Sequence, residues 1–142
     1  MDPREFLKLA SELVTSAGPA TIRTGINRAY YAAHNVGVEL LTEMGCTIEK
    51  GPGGHGAVWM RLNNSGDKEV ITAGSQLGDL QTKRNKADYR LDNKDVEDQK
   101  TAKALVEQAR RIIQTLDGCR TGSKGTQVKK AILEWERKVG ET

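Results

Sequence analysis

Apolar residues recur every three or four positions along almost the whole chain, and no useful stretch alternates with period two. That periodicity predicts helices rather than strands. A first helix opens at Asp2-Pro-Arg-Glu5, with Phe6, Leu9, Ala10 and Leu13 on one face, and Gly18-Pro19 ends it. A second, long helix runs from about Ala20 to Met44. Its stripe is Ile22, Ile26, Ala29, Tyr30, Ala33, Gly37, Leu40, Leu41 and Met44, with Gly45 as its stop. Residues Cys46 to Gly54 read as a loop with Gly51-Pro-Gly-Gly54 as its flexible end, and a short helix follows from His55 to Leu62. A fourth helix starts at Asp67 and carries Val70, Ala73, Leu77 and Leu80. A fifth runs from about Val96 to Leu116, and Gly118 ends it. Residues 119–125 read as a Gly/Ser linker to an amphipathic helix over 126–142, with Val128, Ile132, Trp135 and Val139 on one side. The reading is all-α: an up-and-down bundle of four or five helices in residues 1–118, then the linker and a C-terminal helix that swings or docks.

One helix face is interrupted. Leu77, Leu80, Arg84, Ala87 and Leu91 share a side of the fourth helix, four of them apolar and one cationic. A guanidinium keeps its charge, so on a surface that excludes water it must find partners. Asp88 lies one turn on and can pair with it, while Asn85 and Tyr89 form a second pair on the adjoining flank. A surface ion pair beside a half-buried tyrosine would give the same pattern. Gly74 and Gly78, four apart, mark either a close helix approach or tolerated weakness.

Charge sharpens the picture only at the end of the chain. The formal charge is +3, and residues 1–118 are balanced. The excess sits in Arg120, Lys124, Lys129, Lys130, Arg137 and Lys138, set against Glu134, Glu136 and Glu141. Such a cluster hints at nucleic acid, although a solvated helix face accounts for it as readily. Aromatic residues make up 4% of the chain, so base stacking is not a prominent signal. The glycine cluster at 51–54 lacks the order of a phosphate loop and follows no strand. Cys46 and Cys119 form no metal-type doublet, and no metal or cofactor is expected. With no apolar run of about 18 residues and no leader pattern at its start, the chain reads as cytoplasmic, with free thiols and no membrane partner.

Three stretches together resemble the HEPN family. Ile26-Asn-Arg-Ala-Tyr-Tyr-Ala-Ala33 resembles its second helix, His55-Gly-Ala-Val58 the start of its middle segment, and Arg84-Asn-Lys-Ala-Asp-Tyr89 the "R-x-x-A-D-Y" form of its signature. In order and spacing they cover about Phe6 to Leu116. The resemblance implies a small helical bundle that dimerises, with two signature helices facing each other across a shared cleft. It also implies a toxin–antitoxin or defence setting, RNA as a ligand, and a nucleotidyltransferase or antitoxin as a partner. Many members of the family are metal-independent ribonucleases, which makes Arg84, Asn85, Asp88 and Tyr89 the catalytic candidates, and Arg84, Asn85, Tyr31 and Arg28 the RNA- or nucleotide-binding ones.

The chain departs from the family at one chemical point. The signature's histidine should fall at 89, 90 or 91, where Tyr89, Arg90 and Leu91 stand. RNA cleavage through the 2′-hydroxyl needs a base for that proton and an acid for the leaving oxygen, and histidine suits both roles. Arginine stabilises charge but shuttles protons poorly. A tyrosine serves better as acid than as base, and Asp88 is a base blunted by its pairing with Arg84. His55 or His34 could substitute from another helix. A dimeric module, non-catalytic or weakly catalytic, that binds RNA, a nucleotide or a partner protein is therefore expected first. The alternative is a ribonuclease built on Arg84 at a dimer interface.

Overall fold

The computed structural model describes residues 1–140, and these form an all-α bundle with no strand. The helices are α1 (Arg4–Leu13), α2 (Pro19–Glu43), α3 (Pro52–Asn63), α4 (Lys68–Tyr89), α5 (Gln99–Asp117) and α6 (Gly122–Gly140), with one 3-10 turn at Asp95–Glu97. The last two residues of the expected C-terminal helix, Glu141 and Thr142, lie outside the described residues.

Helix α2 is the axle, packing against α1, α3, α4 and α5. Its stripe is nearly dry: Ile22, Ile26, Ala29, Tyr30, Ala33, Leu40 and Leu41 are buried, as are Gly25 and Gly37. Gly25 lets α1 approach, because a Cβ there would lie 2.6 Å from Val14 Cγ1. The opposing core comes from Val58 and Leu62 of α3, Leu77 and Leu80 of α4, and Val106, Ala109, Ile112 and Leu116 of α5. Asp67 caps α4 by accepting from the Val70 amide, and Asp98 does the same for α5 through Thr101.

Four sequence expectations are corrected. The buried face of α1 is Leu7, Ala10 and Val14, while Leu9 is exposed; the helix is rotated so that Ala10 meets α2. Leu91 does not reach the core, since α4 ends at Tyr89 and the helical face ends with it. Gly51-Pro-Gly-Gly54 is not a flexible end. Gly51 takes a φ of +94°, Pro52 presets the first turn of α3, and Gly54 is buried where a Cβ would strike the Glu49 carbonyl at 2.2 Å. Likewise α6 begins at Gly122 rather than at 126. Gly125 is buried in its first turn, where a Cβ would meet the Cys119 carbonyl oxygen at 2.4 Å. Val128 and Ile132 are also buried, and Arg61 of α3 pairs with Glu136 at 2.8 Å and lies over the Trp135 ring. Both thiols, Cys46 and Cys119, are free and buried. No helix among the described residues is long and apolar enough to cross a membrane.

Candidate functional site

Two arginines, Arg23 and Arg84, are buried in the bundle, and they are treated very differently. Arg23, on α2, reaches the end of α4 and satisfies its orphan carbonyls. Its Nη1 donates to Lys86, Ala87 and Arg90, and its Nη2 to Leu91 and Asn93, while Nε and Nη2 both bind Glu97. A cation at a helix C-terminus is electrostatically favourable, and here it also ties the 3-10 turn to α4. Nothing in the local sequence signals this role, because every partner lies more than 60 positions away.

Arg84, one turn before that helix end, is also buried. It makes one long bond, from Nη1 to Asp88 Oδ2 at 3.5 Å, and its buried Nε donates to nothing. The guanidinium carbon lies 5.1 Å from the Tyr30 ring centre and 5.3 Å from that of Tyr31. Aromatic faces favour the cation, but they do not replace hydrogen bonds. Asp88 is held in turn by Asn27, whose Nδ2 donates to it at 2.9 Å.

Helix α3 brings a histidine, His55, close to Arg84. His55 Nδ1 lies 2.5 Å from the Tyr30 hydroxyl, and His34 Nδ1 of α2 lies 3.5 Å from the same oxygen. The two imidazoles stack with centres 4.6 Å apart. Burial, together with the charges of His55 and Arg84, holds His34 at about 4, and burial and Arg84 lower His55 as well. Burial raises Tyr30 despite the opposing pull of Arg84. All three rings are therefore uncharged near neutral pH.

Arg84 and Asn85 share an open depression with Tyr31, His55, Gln81 and Tyr89, and Gly51 and Pro52 also line it. Its volume is about 420 Å3, in the range of small-ligand sites. Of the residues singled out in the sequence, Arg84, Asn85, Tyr31, Tyr89 and His55 thus come together. Asp88 stands behind Arg84, between it and Asn27. Arg28 does not line the depression: it lies over the Phe6 and Tyr31 rings and donates to Asn27. Gln81 was missed, although its i, i+4 relation to Asn85 could have placed it on that flank. The lining is rich in donors, and Arg84 is its charged group. Among the described residues, no three His, Cys, Asp or Glu side chains gather in a way that could hold a metal ion. Comparison of the chain with family models, curated proteins and solved structures finds no match.

Proposed function

We propose that this chain is a HEPN-like module whose Arg84 depression binds a phosphodiester of RNA, and that it works as a homodimer. The observation that carries the reading is the unmet hydrogen-bonding capacity of Arg84. A guanidinium has five N–H donors, yet this one makes a single long bond within the protein, and its buried Nε has no partner. Such a charge is costly unless an anion completes its shell. A phosphate oxygen suits its geometry, and Asn85 and Gln81 offer amide donors at the same rim. Tyr89, which lines the depression, is 72% exposed, and Leu91, two residues on, is 73% exposed, a surface that a second copy would cover. The defence setting and a nucleotidyltransferase or antitoxin partner rest on the motif resemblance alone.

The experiment is fluorescence anisotropy of a short single-stranded RNA with the wild-type protein and Arg84→Met, at low and moderate salt. Wild type binds, and binding weakens steeply as salt rises; Arg84→Met loses most of it. Equal binding by both proteins sinks the reading. Light scattering on the same samples should give the mass of a dimer, and a monomer at every concentration removes the dimeric part.

A second reading, RNA cleavage, draws on one observation: His55 faces the depression that Arg84 lines. Cleavage in EDTA that is lost in both Arg84→Met and His55→Gln would establish it in place of simple binding.

A further inference from the structure

Within the phosphate-binding reading, the decisive feature of His55 is which ring nitrogen carries its proton. The groups facing His55 are Tyr30, Tyr31 and His34 of α2 and Arg84 of α4. We infer that Tyr30 donates its hydroxyl proton to Nδ1 of His55 and so fixes His55 as the Nε2–H tautomer, a neutral donor toward a bound phosphate rather than a base.

The argument starts from the phenol, which has one proton and two imidazole acceptors within reach. His55 Nδ1 stands at 2.5 Å and His34 Nδ1 at 3.5 Å, the latter at the outer limit of a hydrogen bond. The proton goes to the nearer nitrogen. The opposite arrangement, His55 Nδ1–H donating to Tyr30, would send the phenol proton along the long path and make the phenolic oxygen the acceptor of the short one. That oxygen shares its lone pair with the ring and accepts poorly, whereas an imidazole nitrogen accepts well. Tyr30 is fully buried, so no water competes for its proton, and burial keeps it protonated. With Nδ1 occupied, the remaining hydrogen of a neutral imidazole must sit on Nε2. The stacking of the two rings fits this state, because neutral imidazoles 4.6 Å apart do not repel as two imidazolium ions would. His55 then joins Arg84, Asn85 and Gln81 as a donor, and the free lone pair that a general base requires is missing.

The tautomer can be read without any RNA. In 15N-labelled full-length protein near neutral pH, two-bond proton–nitrogen spectra should show His55 with a pyridine-like Nδ1 and a pyrrole-like Nε2. In Tyr30→Phe, which removes only the hydroxyl, the Nδ1 resonance should move toward that of an unbonded pyridine-like nitrogen, with some Nδ1–H tautomer mixed in. A pyrrole-like Nδ1 in the wild type overturns the inference outright, as does an Nδ1 resonance that stays at the same position in Tyr30→Phe. Binding provides a second arm with the same RNA probe. His55→Gln, which keeps a neutral donor, should bind within about twofold of wild type, while His55→Ala loses about fivefold, the effect of one neutral hydrogen bond. Equal losses in the two variants count against a donor role. If Arg84→Met binds normally while the spectra show the expected tautomer, the phosphate reading fails and the tautomer stands; the reverse result separates them the other way.

Discussion

Burial of a guanidinium has opposite consequences at two positions of this chain. Arg23 is surrounded by carbonyl oxygens and Glu97, so Arg23→Met leaves those acceptors and a carboxylate without their donor. We expect a loss of about 3–5 kcal/mol in urea unfolding. Arg84→Met removes a charge with one long bond and leaves Asp88 still held by Asn27. Its stability should stay within about 1 kcal/mol of wild type, and a loss as large as that of Arg23→Met would show that Arg84 is a structural residue. His34 supplies a pH test. Its folded value is about 4, below the ordinary histidine value of 6.5, so between those limits the unfolded chain binds a proton that the folded one refuses. Stability is therefore full above pH 6.5 and falls as pH drops toward 4, by on the order of 3 kcal/mol from this group. In His34→Gln that part of the slope should vanish; an identical slope would mean that His34 titrates alike in the folded and unfolded chains. Only part of this was legible in the sequence. Arg84 and Asp88 announce each other by their i, i+4 spacing, whereas Arg23 and His55 find their partners on other helices, where no local pattern reaches.

Glycines show what the elements require of each other. The sequence offers Gly74 and Gly78 as equals, and the packing of α3 on α4 separates them. A Cβ at Gly74 would lie 2.9 Å from Leu62 Cβ and 3.2 Å from the Trp59 carbonyl oxygen, so this glycine is where the two helices touch. A Cβ at Gly78 meets nothing within 4 Å. Gly74→Ala should cost about 1–3 kcal/mol through overpacking, and Gly78→Ala should add about 0.5–1 kcal/mol through better helix propensity. Thermal or urea unfolding reads both, and effects of the same sign would contradict the packing described. The same principle explains why α3 and α6 start earlier than periodicity suggests. Glycine-rich stretches look like flexible connections in a sequence, because glycine costs helix propensity. At Gly54 and Gly125 the missing side chain instead admits a neighbouring carbonyl, which only the assembled bundle reveals.

At the scale of the whole molecule, the all-α bundle follows from the hydrophobic stripes, but the place of α6 does not. A narrow stripe after glycines fits a swinging helix as well as a docked one. In the structure Val128 and Ile132 are buried, and Glu136 meets Arg61 on α3. Both cysteines lie along this seam. Gly125 packs on the Cys119 backbone, and the Cys46 thiol is close enough to Glu136 and Arg61 to feel their charges. Burial pushes Cys46 up to about 11 and raises Cys119 as well, so neither has thiolate to offer at neutral pH even where reagent reaches it. Native protein should therefore react with a thiol-specific reagent only at the slow rate of opening. Ile132→Glu puts a charge into the seam and should free α6 from the bundle. If α6 covers the thiols, both then react many times faster while the circular dichroism of the bundle persists. If α6 swings freely in the native protein, wild type and variant react alike.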